Sequence, residues 1–479
     1  MVDDLGGEQS DVGELRDLWF KAAEIAEVKL EDVDRAVGYL EGLLRRGDSD
    51  PLTAQALLEM ALRHGLHAEA ADARAELASM AMMDDNVEVA VEHLKKESRL
   101  RLKDLKDKAG AKEALGRLLD IHPLDMEILE DWIDLEPAAA EKERRLHRAA
   151  GELRSKYLAS PDKPDGVRSL LHIMRLREDA EGVRLAKDLL EELDPGKASI
   201  PPPRPYTPRD PEGVLGPELL SQLRHPDDAG AGHLIMSLTA PYASELAGRS
   251  PRDLKRNLEK LSPLDSGHPV AARIIRAGEA AGIGPVQVYE GGDPLSIGAV
   301  EGEGICIRAG SQVGADLSPR LTFSLGRELW IASLGLAASG DDIIDRLSSG
   351  IAAVCISAGR DTALSTIADT TARVKDNVSR VLPKNVMNQA ALAVSGMEQV
   401  SEAGILDMAT AAVLSADRYA FVLCGEVREA VACIRTAGNE SMSRLSVRDR
   451  LNALFAFIVS DEVLRIRRSL GLCPEKDEV

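Results

Sequence analysis

Seven prolines fall in the single stretch LDPGKASIPPPRPYTPRDPEG, residues 193–213. Proline fixes φ and carries no amide hydrogen, so a run this dense holds neither a helix nor a strand ladder and favours extended polyproline conformation. The composition reads as a linker over residues 194–213. It divides the chain into a segment at 11–193 and a segment at 214–479, each of which must find its own core. A proline-rich ligand for a partner's groove is the other reading of the same residues.

Residues 11–193 contain few glycines and keep a helical spacing of apolar positions almost throughout. In AKEALGRLLDIHPLDMEILEDWIDL, Ala111, Leu115, Leu118 and Pro123 stand at offsets of four, seven and twelve. Such a unit has a small residue for close helix approach, two apolar anchors and a terminating proline. Ala36, Leu40 and Leu43 repeat the first offsets, with Pro51 arriving three residues late. Pro51, Pro123 and Pro195 are 72 residues apart each time, twice a period of roughly 36. This segment resembles a degenerate tetratricopeptide array. The resemblance implies stacked helix pairs whose concave surface takes a protein or peptide partner. The aromatic and glycine usual in the first helix of each pair are mostly missing, and KKESRLRLKDLKDK is densely charged, so a plain irregular helical solenoid is the alternative. His64, His67, His93, His122, His147 and His172 have no ligand spacing and read as surface or packing residues.

The formal net charge is -21, and aromatic residues make up 3% of the chain. Nucleic acid and anionic membranes both call for clustered Lys and Arg, and single-stranded nucleic acid also calls for stacking rings, so neither partner is expected. Cys306, Cys355, Cys424, Cys433 and Cys473 are odd in number and never spaced as C-x-x-C, against a disulfide scaffold or a zinc knuckle. The opening MVDDLGGEQSDVGEL has no apolar h-region, and no later run approaches a membrane span. The expected location is the cytoplasm.

Beyond residue 214 the glycine content rises. HPVAARIIRAGEAAG reads as a helix, followed by three short strands in PVQVYEGG, PLSIGAV and GICIRAG, and then by the apolar helix LTFSLGRELWIAS. Helices follow to the end. The expectation is a mainly α chain: a helical-repeat solenoid, then an α+β domain with a small sheet.

Two motifs of this domain resemble gluzincin metallopeptidases of the HtpX type. Their active helix carries H-E-x-x-H, against which LTFSLGRELWIAS sets Arg327, Glu328 and Ile331. Their downstream motif is E-x-x-x-D followed by arginine and an aromatic residue; VLSADRYAF supplies Asp417, Arg418 and Tyr419, with Val413 at the ligand glutamate. The resemblance spans residues 267–437 and implies a zincin-like fold. Histidines four residues apart on a helix can share one Zn²⁺, with the glutamate acting on metal-bound water. Arginine has no lone pair to offer, and isoleucine and valine have no donor at all. Arg327, Ile331 and Val413 are therefore degenerate ligand positions, Glu328 is a vestigial base, and Asp417 a vestige of the residue that supports a ligand histidine.

His225, His233 and His268, the histidines beyond the proline stretch, lie upstream of the key helix and nominate no replacement metal site, so neither metal nor cofactor is expected. Phe323, Arg327, Trp330, Ile331 and Leu334 share one helix face and read as core repacked over the former site. Phosphate-binding glycine loops and a G-x-S-x-G elbow are missing from the sequence, and no convincing Ser-His-Asp grouping stands out. The functional expectation is a pseudoenzyme acting as an interaction scaffold. The alternative is a metal-dependent peptidase or other hydrolase with an unrecognised site around Glu328.

Overall fold

The computed structural model describes residues 12–45, 50–196, 209–228, 231–246, 249–337, 343–358, 374, 378–395, 402–438 and 445–473. The chain is mainly helical, with one small four-stranded mixed sheet. It divides into two compact units, Met1–Leu153 and Arg154–Val479.

The first unit is built of α1 (Val12–Glu24), α2 (Val33–Arg45), α3 (Pro51–His64), α4 (His67–Met83), α5 (Val87–Lys103), α6 (Lys108–Ile121), α7 (Met126–Leu135) and the beginning of α8 (Ala139–Leu158). From α1 to α7 each helix packs against the next. The turns between them are written locally. Glu31, Asp85 and Lys106 take positive φ of 54 to 58°, and the Asp or Asn that follows turns its side chain on the new helix. Asp32 accepts from the Arg35 amide, Asn86 from Val89 and Asp107 from Gly110, each satisfying an amide that the helix leaves open. Four residues after these caps stand Ala36, Ala90 and Ala111, all fully buried, where a larger side chain would hold neighbouring helices apart. Gly42 admits the Trp19 ring, which a Cβ there would meet at 2.4 Å.

The chain period is visible in the helix starts. Counting α9 (Pro164–Leu176) and α10 (Ala180–Leu193), the first helices of five successive pairs begin at 12, 51, 87, 126 and 164, intervals of 39, 36, 39 and 38. The 72-residue proline spacing is thus two helix pairs: Pro51 opens α3, while Pro123 and Pro195 lie in the turns after α6 and α10.

The second unit contains α9 and α10, then α11 (Pro217–Leu223), α12 (Ala231–Thr239), α13 (Ala243–Leu246), α14 (Pro251–Leu258), β1 (Ser262–Leu264), α15 (Pro269–Ala280), β2 (Val286–Glu290), β3 (Ile297–Val300) and β4 (Ile305–Ala309). After the sheet come α16 (Pro319–Ser333), α17 (Ile343–Ser357), α18 (Val378–Val381), α19 (Lys384–Ser395), α20 (Glu402–Cys424), α21 (Val427–Ala437), α22 (Val447–Ile458) and α23 (Asp461–Ser469). The three strands expected from sequence are β2, β3 and β4. The sheet order is β1-β2-β4-β3, with β2 and β4 parallel and both outer strands antiparallel to their neighbours. β1 had no signal, because Ser-Pro-Leu is too short to alternate and its proline fits only an edge.

The division at Arg154 differs from the boundary that composition suggests, and buried arginines account for it. Arg467, wholly buried, donates through Nε to Glu181 at 2.8 Å and through Nη2 to the Leu472 carbonyl at 2.8 Å. Arg184 donates to the Gly425 carbonyl at 2.9 Å, and Arg154 clasps Asp461 at 2.6 and 2.9 Å. These contacts hold α10 and the end of α8 to the helices after the sheet. Most of the proline-rich stretch lies outside the described residues, but its end is docked: Asp210 pairs with Arg273 and Arg276, and the Glu212 amide donates to Leu470. Among the described residues no helix is long and apolar enough to cross a membrane.

Candidate functional site

α16 is the centre of the second unit. Ser318 caps it by accepting from the Leu321 amide, and Pro319 occupies its first turn. The helix packs against α15, β3, β4, α20 and α21. Its approach to α20 is closest at Gly326, where a Cβ would lie 2.7 Å from the Ala420 Cα. The two motif segments, about ninety residues apart in sequence, are therefore brought side by side.

Glu328 lies at the sheet edge. Its Oε2 accepts from the Ala299 amide of β3 at 3.0 Å, and its Oε1 from Arg327 Nη1 at 3.2 Å. Arg327 Nε in turn stands 3.5 Å from Asp417 Oδ1. Arg450 of α22 grips the same carboxylate in a fork, Nε to Oδ2 at 2.9 Å and Nη2 to Oδ1 at 2.8 Å, with both residues about 1% exposed. Charges thus alternate along Glu328, Arg327, Asp417 and Arg450. Ile331 and Val413 are buried, as are Phe323, Trp330 and Leu334. The donor set does not fit zinc, since a guanidinium and two hydrocarbon side chains stand at the positions that the motif resemblance would assign to ligands. Among the described residues no group of three or more His, Cys, Asp or Glu is placed to hold a metal.

The residues after Asp417 diverge into different parts of the core. Arg418 donates to the Arg224 carbonyl at 2.7 Å and lies over the Phe457 ring at 4.7 Å; burial brings its guanidinium down to about 10. Tyr419 donates to the Ala277 carbonyl, its ring lies 5.7 Å from that of Trp330, and full burial pushes its hydroxyl well above the ordinary tyrosine value.

A second constellation, not nominated from sequence, lies beside α16. Asp228 closes a short 3₁₀ turn, Pro226–Asp228, and is buried. It accepts from Ser415 Oγ at 2.7 Å, and both its oxygens lie 3.2 Å from His233 Nδ1. Ser415 Oγ also accepts from the His225 amide at 2.9 Å. His233, Arg224 and Trp330 line one cavity of about 310 Å³. No regular spacing joins Arg224, Asp228, His233 and Ser415, or pairs Asp417 with Arg450, so sequence reading had no handle on either group.

No protein-family model matches the chain, and no curated protein matches it.

Proposed function

We propose that this protein is a non-catalytic interaction scaffold: a tetratricopeptide-like helical array with a zincin-like pseudopeptidase domain. The observation that carries the reading is the position of Arg327. Its guanidinium lies between Glu328 and Asp417, where a metal-ligand histidine would stand in the enzymes that the motifs resemble. Glu328 meanwhile accepts a backbone hydrogen bond from β3 and a side-chain one from Arg327, bonds that orient it within the fold.

A partner surface on the helical array is supported by where apolar side chains face solvent. Of fourteen large hydrophobics exposed among the described residues, nine fall between Leu18 and Val89, including Val28, Leu52 and Met83. Contiguous exposed apolar patches mark interaction surfaces, so this part of the array is where a partner would be sought first.

Metal analysis of the purified protein tests the catalytic half of the reading. The expected result is substoichiometric zinc, with no peptidase activity that a chelator removes. Near-equimolar zinc surviving dialysis, together with activity lost in Glu328→Gln, would overturn it.

A further inference from the structure

We propose that the cavity beside α16 is a binding site for a small monocarboxylate with an apolar body, its carboxylate taken by Arg224. This does not rest on the scaffold reading, because none of the degenerate ligand positions lines the cavity. At about 310 Å³ it reaches the lower bound of small-molecule sites. Its wall is mostly apolar, with Leu220 after the docked proline stretch, Ile283 from the turn before β2, Ile305 from β4 and Trp330 from α16.

The polar groups are few and differ in kind. Arg224, at the end of α11, contributes a permanent cation to the wall, and no hydrogen bond or ion pair engages its guanidinium among the described residues. Its backbone carbonyl is held by Arg418, so the residue is fixed at its base while its head is uncommitted. His233 is anchored through Nδ1 by a buried carboxylate, itself fixed by Ser415. An imidazole held in this way presents Nε2 as the ring nitrogen left for a ligand, and its orientation is set before any ligand arrives. The Trp330 indole N–H, on a side chain 4% exposed, has no acceptor among the described residues. A carboxylate is the simplest group that answers an uncommitted guanidinium and an orphan donor, since it offers several lone pairs in one plane. A multiply charged anion fits less well, because the cavity holds one permanent cation and the Asp228 carboxylate lies directly behind the imidazole.

Calorimetric titration of the full chain with octanoate, phenylacetate and 1-octanol tests the assignment. At least one of the two acids should bind with one-to-one stoichiometry and at least about tenfold more tightly than 1-octanol. Arg224→Leu should lower affinity for that acid by at least about tenfold and leave 1-octanol unchanged, while Arg224→Lys keeps part of the acid affinity. Binding should also perturb Trp330 emission, followed in a Trp19→Phe, Trp132→Phe background. Absence of binding by both acids, 1-octanol binding as tightly as the better acid, or acid binding indifferent to Arg224→Leu would each overturn the proposal. The wild-type comparison of acid with alcohol stands even if Arg224→Leu does not fold.

Discussion

Arg327 and Arg450 approach one carboxylate, that of Asp417, at 3.5 and 2.8 Å. The two guanidiniums are not equivalent: Arg450 is sealed in the core, whereas the Arg327 side chain is 18% exposed and shares its charge with Glu328. Removing Asp417 therefore takes the forked carboxylate from a deeply buried cation, while Arg327 keeps Glu328 and reaches water.

Asp417→Ala should cost about 3–5 kcal/mol in urea unfolding, the order expected when one member of a buried ion pair is removed. Arg327→Met should cost less, about 1–2 kcal/mol, because the fork from Arg450 survives. The double variant Asp417→Leu, Arg450→Met should recover much of the first loss. Strictly additive losses would mean that the pair is not coupled.

Two glycines in helices should respond in opposite directions to alanine. Gly326→Ala forces a Cβ to within 2.7 Å of the α20 backbone, which cannot retreat as a flexible side chain would, and should destabilise by about 1–3 kcal/mol. Gly38→Ala in α2 meets nothing within 4 Å and should stabilise by about 0.5–1 kcal/mol. A tolerated Gly326→Ala would contradict the close packing of α16 on α20.

What the sequence made legible follows from what is periodic or local. Helical spacing, the small residues Ala36 and Ala111 and the proline spacing recur at short range, so a helical array could be read directly. β2, β3 and β4 were bracketed by glycines. The docking of α10 was not legible: Glu181 and Arg467 are 286 residues apart, and neither side chain looks buried by composition. The helical spacing around Glu181 is that of any repeat, and only the fold reveals which body it joins. The cavity escaped for the same reason, since a lone arginine and a lone histidine carry no pattern until a fold places them in one wall.

The α10 cluster should make stability depend on pH with an interior maximum. Burial raises Glu426 to about 7 and Asp188 to about 6, against the pull of Arg184; each retains a buried oxygen without a hydrogen-bond donor among the described residues. A carboxyl raised in the folded state binds more protons there than when unfolded, so these two lower stability as pH rises through about 4 to 7. Glu181 is the reverse case. Burial would raise it, but Arg467 and Arg184 overcome that and hold it at about 2, so its contribution is lost as pH falls below about 4. Urea midpoints should therefore peak near pH 4, and Glu426→Gln should flatten the upper limb. An unchanged limb in that variant would exclude Glu426 as its source.

Cutting the chain within the proline-rich stretch should not separate the pieces. With a protease site inserted between Lys197 and Pro208, the cleaved protein should still elute as one species in size-exclusion chromatography. Arg467 to Glu181, Arg184 to Gly425 and Arg154 to Asp461 bridge the cut. Arg467→Met should loosen the nicked form. Clean separation of two folded fragments would instead support a domain boundary at the prolines.

Ancestry is tested by rebuilding the lost ligands. If α16 and α20 hold the geometry of the enzymes that their motifs resemble, Arg327→His, Ile331→His and Val413→Glu together bring two imidazoles and a carboxylate to one point. Zinc that binds only the folded state then stabilises it by RT ln(1 + [L]/Kd), about 2.7 kcal/mol at a hundredfold excess over Kd. Ile331 and Val413 are buried, so the triple change should first cost about 1–3 kcal/mol, and the comparison must be made with and without metal on the same variant. Asp417 complicates the outcome in an informative way. Both its oxygens are taken by Arg450, so it cannot freely support a new imidazole. Adding Arg450→Met to the triple variant should release it and strengthen zinc binding by about 10- to 100-fold. A folded quadruple variant that gains no zinc-dependent stability would leave the pairing of α16 with α20 as ordinary core packing, with no inherited site beneath it.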